Sequence, residues 1–192
     1  MKRIVVTGGP GAGKTASLEM ARLMLCEHVA FARESASIVF GGGFPREARP
    51  HARCSAQRAI FHVQRELESL FDDDPGIQVL VCDRGTVDGL AYWPRVHDDF
   101  FHEVHTTRAA ELARYDLVLH LRPPPDDDGY ERSPLRVESA LEAARLDASL
   151  ERAWEGHPRR VFVEHTHDFV AKVKQVLSVI EAELDCGHVR GS

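Results

Sequence analysis

The 192-residue chain contains no asparagine. That excludes an N-glycosylation sequon, and it excludes the Asn-Lys-x-Asp signature with which most GTPases read guanine. Lysine is scarce, four residues against 20 arginines, and between Arg3 and Ala171 Lys14 stands alone. Where arginine supplies nearly every other cation, a lone ammonium points to a task that a planar guanidinium cannot perform. Long apolar runs are missing too: none approaches the roughly 18 residues of a membrane helix. Met1-Lys2-Arg3 leads into a short strand-like run and then glycines, without the apolar stretch of a signal peptide. The expected location is cytoplasmic. Cys26, Cys54, Cys82 and Cys186 lie far apart with no CxxC pair, which reads as free thiols in a reducing compartment. A positive excess is also absent. The formal net charge of −6 argues against nucleic acid as a partner.

What is present is a set of continuous apolar runs bounded by turn signals: 3–7, 29–32, 77–82, 116–121 and 161–163. Runs without alternation are strands buried on both faces, hence a parallel sheet covered by helices. Helical spacing fills the intervals. Leu18, Ala21 and Leu25 share a face within 15–27, and Ile60, Val63, Leu67 and Leu70 within 53–71. Phe101, Val104, Arg108 and Leu112 continue the period. Ser133-Pro134 marks a helix start leading to Trp154, and Phe169, Val173, Val176, Ile180 and Leu184 form the last stripe. The expectation is a three-layer α/β domain over 1–186 with a frayed tail at 187–192.

Gly8-Gly9-Pro10-Gly11-Ala12-Gly13-Lys14-Thr15 matches G-x-x-x-x-G-K-[ST] in full, after a buried strand and before an amphipathic helix. Glycines let the backbone curl so that successive N–H groups face phosphate oxygens, and the helix N-terminus adds its dipole. Gly8, Gly9, Pro10, Gly11, Ala12, Gly13, Lys14, Thr15 and Ala16 are the candidate nucleotide contacts. Lys14 is expected at the β- and γ-phosphates, and Thr15 at Mg²⁺. Asp83, at the end of the third strand, is the second candidate Mg²⁺ ligand, with a helix N-cap as the alternative. Arg84 beside it points toward the crevice where open α/β sheets bind ligands. Glu34, after the second strand, faces the same crevice as a base for an acceptor hydroxyl or as a solvated helix-start carboxylate.

Residues 123–138 combine four prolines, three aspartates, a glycine and two arginines, and read as a small lid. Arg132 and Arg136 within it would neutralise charge on the transferring group; Arg145 reads as a surface residue. His165 and His167 flank one threonine, a weak metal signal in a chain with 11 histidines.

The loop 8–15, Arg33-Glu34-Ser35-Ala36, the stretch from Asp83-Arg84-Gly85 to Asp88 and Ala91-Tyr92, and Arg136-Val137-Glu138 resemble the small P-loop AAA-domain ATPases of the NadR-like type. The resemblance runs over about residues 3–180. It implies a nucleotide-kinase-like P-loop NTPase fold with a five-stranded parallel sheet in the order 2-3-1-4-5 and a lid after the fourth strand. It also implies that Gln57, Gln64, Asp88 and Tyr92 line an acceptor pocket. A hexameric motor does not fit, because the chain lacks room for the extra helical domain. The resulting expectation is a monomeric or homodimeric kinase-like enzyme. It would use ATP and Mg²⁺ to phosphorylate a small nucleoside- or nucleotide-like acceptor. The alternative is a nucleotide-dependent regulatory ATPase or GTPase switch without an acceptor.

Overall fold

The computed structural model describes residues 1–94, 97–125 and 140–184. Five strands form one all-parallel sheet: β1 (Lys2–Thr7), β2 (Val29–Ala32), β3 (Val79–Asp83), β4 (Leu117–Leu121) and β5 (Arg160–Val163), in the order β2-β3-β1-β4-β5. The order implied by the family resemblance is the one found. β1 is the central strand because it is apolar on both faces. Its register pairs Val6 with Asp83 on one side and Thr7 with His120 on the other.

The two faces of the sheet build two cores. Ile4 and Val6, Val79 and Val81, and Leu117, Leu119 and Leu121 pack against α1 (Lys14–Met24) and α8 (Phe169–Glu181). Val5, Leu80, Cys82 and Val118 turn the other way, toward α3 (Pro50–Ser69) and the helices that follow. Helices on both faces of a parallel sheet are what unbroken Val/Ile/Leu strands demand.

Local chemistry sets the helix limits. α3 starts at Pro50, whose missing N–H costs nothing in a first turn. Asp168 caps α8 by accepting from the Ala171 N–H at 3.1 Å. Between α1 and α3 lies α2 (Ser35–Gly41), a short helix that the sequence periodicity does not announce. After β3 the chain makes a single 3₁₀ turn, Thr86–Asp88, and a one-turn helix, α4 (Gly89–Tyr92).

The helix expected across 101–112 is two helices, α5 (His97–Glu103) and α6 (Arg108–Leu112). His105 at φ 55° breaks the run, and Thr107 recaps it by accepting from the Ala110 N–H at 3.1 Å. α7 is described over Ala140–Ala153, so the Ser133-Pro134 start lies outside the described residues. The tail 187–192 lies outside them as well. The carboxyl ends of the five strands share one edge, which is where a site can gather residues distant in sequence.

Candidate functional site

The loop from Gly8 to Thr15 joins β1 to α1. Gly8 has φ 135°, and a Cβ there would lie 2.1 Å from the Leu121 carbonyl oxygen, so only glycine fits between the loop and β4. Gly13 caps α1 in the left-handed region, and among the described residues no side-chain hydrogen bond caps the helix's first N–H groups. Those donors and the helix dipole form an anion seat. Lys14 Nζ folds back on the loop, donating to the carbonyls of Gly8 (2.6 Å) and Gly9 (3.1 Å). Burial lowers its pKa to about 7, and Arg84 nearby adds to the fall, against the pull of Asp83, Asp88 and Glu34.

β2 and β3 deliver the two carboxylates. Asp83 is the last residue of β3, so the helix-cap alternative fails: the next turn is capped by Gly85. Burial raises the Asp83 pKa to about 6, and the nearby Glu34 charge adds to it. Asp83 and Thr15 line one small cavity of about 370 Å³ with Glu34 and Arg22. An under-neutralised carboxylate beside a hydroxyl is a hard-oxygen donor pair suited to Mg²⁺, which takes one or two protein ligands and completes its shell with water and phosphate. The described residues contain no group of three or more His, Cys, Asp or Glu placed to hold a metal.

Glu34 precedes α2 and accepts from Arg84 Nε at 3.0 Å and from the Ser37 hydroxyl. Burial would raise its pKa, but Ser37 and Arg84 outweigh that and hold it below the ordinary carboxylate value. Arg84 adopts φ 70°, a costly backbone for a residue with a Cβ. Its Nη1 also donates to Asp88 Oδ2 at 3.3 Å, and its guanidinium lies 5.7 Å from the centre of the Tyr92 ring.

A larger cavity, about 650 Å³, opens between α2, α3 and the turn after β3. Pro10 of the loop, Glu34 and Arg84 form its inner wall. Phe40, Ile60, Phe61 and Tyr92 supply apolar surface, and Gln57 and Gln64 supply amides. Gln64 Nε2 donates to the buried Glu68 at 2.9 Å. Gln57, Gln64, Asp88 and Tyr92, grouped only by resemblance, therefore do share one wall system. Asp88 differs from that expectation in one respect. Its oxygens accept from the Thr7 hydroxyl (3.0 and 2.9 Å), from Trp154 Nε1 and from Arg84.

Arg132 and Arg136, and most of the expected lid at 123–138, lie outside the described residues. Arg145 is exposed on α7. The His165 and His167 rings sit 5.3 Å apart, beyond β5. Sequence reasoning missed Asp147 and His120. Asp147 Oδ1 accepts from the Gly9 N–H at 2.7 Å and lies 2.9 Å from His120 Nε2. The one available signal was Gly9 itself, a glycine that the loop motif does not require.

A model of the AAA domain family matches residues 3–172. The chain belongs to the AAA domain family. Solved structures of like fold include a NadR protein in complex with NR, with TM-score 0.72 and 17% identity, covering all of this chain and 54% of that one. Another is a NadR protein in complex with NAD and AMP-PNP, with TM-score 0.69 and 16% identity, covering all of this chain and 51% of that one. At such identities the likeness is one of fold, and this AAA domain chain spans about half the length of either NadR chain. No curated protein matches it in sequence. Among the described residues of this AAA domain, no helix is long and apolar enough to cross a membrane.

Proposed function

We propose that the chain is a Mg²⁺-dependent P-loop kinase, one domain over 1–186, that passes the γ-phosphoryl group of ATP to a hydroxyl of a small nucleoside- or nucleotide-like acceptor. The observation that carries this reading is the 650 Å³ cavity, which abuts the phosphate loop at Pro10 and meets it through Glu34 and Arg84. A nucleotide switch needs no second chamber of ligand size beside its phosphates. The NadR structures, one holding NR and the other NAD and AMP-PNP, agree with such a two-chamber site.

In this reading Lys14 leaves the loop carbonyls for the β- and γ-phosphates, taking up a proton when it arrives neutral. Thr15 and Asp83 would hold Mg²⁺, which supplies charge neutralisation across the phosphates. Glu34 accepts the acceptor's proton. Its lowered pKa makes it a weak base, which suffices because a loose phosphoryl-transfer transition state leaves the attacking oxygen largely uncharged until late. Arg84 fixes Glu34 and faces the acceptor end. Arg132 and Arg136 remain the candidates for neutralising the transferring group.

The experiment is ADP release from ATP–Mg²⁺ with and without a panel of nucleosides, nucleotides and short oligonucleotides. Release stimulated by one acceptor class, with a phosphorylated product, is the expected result. Equal slow hydrolysis in every reaction would establish the regulatory ATPase instead.

A further inference from the structure

The Gly9 peptide is held at both ends. Its carbonyl accepts from Lys14 Nζ at 3.1 Å and from the Ala12 N–H at 3.3 Å, contacts internal to the loop. Its N–H leaves the loop altogether and donates to Asp147 on α7, at 2.7 Å. Asp147 is only 5% exposed. Its Oδ1 also meets His120 Nε2 at 2.9 Å, and its Oδ2 accepts from Arg122 Nη1 at 3.1 Å. Arg122 is braced in turn by Glu151 at 2.6 Å, and the Lys172 ammonium donates to its carbonyl at 2.8 Å.

The helix comes unusually close. A Cβ on Gly9 would lie 2.8 Å from Asp147 Cβ and 3.2 Å from the Ala143 carbonyl oxygen. Gly9 carries no positive φ, so its missing side chain serves the approach of α7 rather than a turn. A carboxylate beside an anion-binding loop opposes its ligand unless its charge is matched. Here burial would neutralise Asp147, but His120, Gly9 and Arg122 outweigh it and keep the carboxylate ionised. Side-chain charge is thus spent locally, leaving a fixed acceptor for one loop N–H.

We propose that Asp147, oriented by His120 and Arg122, is a positioning residue for the nucleotide: it pins Gly9 to α7 so that the loop N–H groups beyond Pro10 converge before a triphosphate arrives. This rests on the nucleotide reading above. A loop fixed in its binding shape loses less freedom on binding, and its dipoles need no reorganisation. The contact also ties α7 to the phosphate loop.

The test compares Asp147→Asn, Asp147→Ala and Gly9→Ala with wild type, reading hydrogen exchange at the residue 9 amide, affinity for ADP and AMP-PNP, and KM for ATP and acceptor separately. Asp147→Asn keeps a carbonyl oxygen at the Oδ1 position but turns an amide NH2 toward Arg122, so amide protection and nucleotide affinity fall less than in Asp147→Ala. Asp147→Ala loses the protection and weakens nucleotide binding about tenfold, the loss of one charge-assisted hydrogen bond, with acceptor KM unchanged. Gly9→Ala breaks the same contact from the loop side and reproduces the loss, which serves if Asp147→Ala does not fold. Wild-type nucleotide affinity in folded Asp147→Ala or Gly9→Ala overturns the proposal. So does a tenfold loss in Asp147→Asn with the amide still protected. A wild-type chain that binds no nucleotide overturns the kinase reading and the proposal together, whereas equal binding by wild type and variants overturns the proposal alone.

Discussion

Arg84 donates from Nε to Glu34 Oε1 across the wall shared by the phosphate loop and the acceptor cavity, at 3.0 Å. The pair makes Glu34 ionised and fixed, two requirements of a base that acts late. Glu34→Gln keeps the size and a hydrogen-bond partner but cannot take a proton. It is expected to lower kcat by about 10²–10⁴-fold with the Mg²⁺ dependence unchanged. Steady-state rates across a Mg²⁺ titration measure this. A Glu34→Gln enzyme running at the wild-type rate would reduce the carboxylate to a partner of Arg84.

Asp83 should act oppositely on stability and on activity. Its pKa is about 6 in the fold against an ordinary value of 3.8, so the folded chain binds more protons than the unfolded one between those two values. The stability cost of its charge therefore grows as pH rises from about 4 to 6 and is fully present above 6. In metal-free protein near pH 7.5, Asp83→Asn is expected to gain about 1–2 kcal/mol, discounted for partial exposure. The same substitution should raise the Mg²⁺ concentration needed for turnover. In wild type, that concentration should climb as pH falls below about 6. Melting curves with and without Mg²⁺ decide it, and an Asp83→Asn protein less stable than wild type without metal would contradict the assignment.

Lys14 titrates near 7 while folded over the loop carbonyls. A triphosphate favours the ammonium, so above about pH 7 nucleotide binding should take up close to one proton and affinity should fall as pH rises. Calorimetry in buffers of different ionisation enthalpy reads the uptake directly. Lys14→Ala should abolish the uptake and weaken ATP binding by roughly 1.5–3 kcal/mol, with turnover lost. Proton uptake that persists in Lys14→Ala would assign the titration to another group.

The fold was legible because its signals are local. Unbroken apolar strands, the phosphate loop and the last helix each declare themselves within about a dozen residues, and parallel pairing follows from them. The placement of Glu34, Asp83 and Arg84 beside the crevice was also legible, since each follows an apolar run whose carboxyl end faces it. What stayed hidden depends on contacts between distant elements. Asp147 is one polar residue on an amphipathic helix until the 2.7 Å contact with Gly9 reveals its partner. The break at His105 was hidden for a different reason: the apolar period continues through it, and only the backbone shows the turn.

Asp88 carries the last prediction, because the family resemblance and the geometry assign it different work. By resemblance it reads an acceptor. In the structure it is 3% exposed and joins three elements: Thr7 of β1, Arg84 after β3 and Trp154, next to the end of α7. Trp154 is fully buried, and a Cβ on Gly85 would lie 2.8 Å from its ring, so the indole has no room to follow a displaced partner. Removing the carboxylate strands a buried hydroxyl, a buried indole N–H and half of the Arg84 ion pairing. Asp88→Ala should therefore cost about 3–5 kcal/mol, whereas Trp154→Phe, which forfeits one donor and some packing, should cost less. Asp88→Asn retains the size and one acceptor oxygen, so it should fold and separate the two roles. If Asp88 positions Arg84, Asp88→Asn lowers kcat through Glu34 while the ranking of acceptors by kcat/KM stays the same. A changed ranking, with kcat preserved on one acceptor, would return Asp88 to the acceptor contact that the resemblance implied.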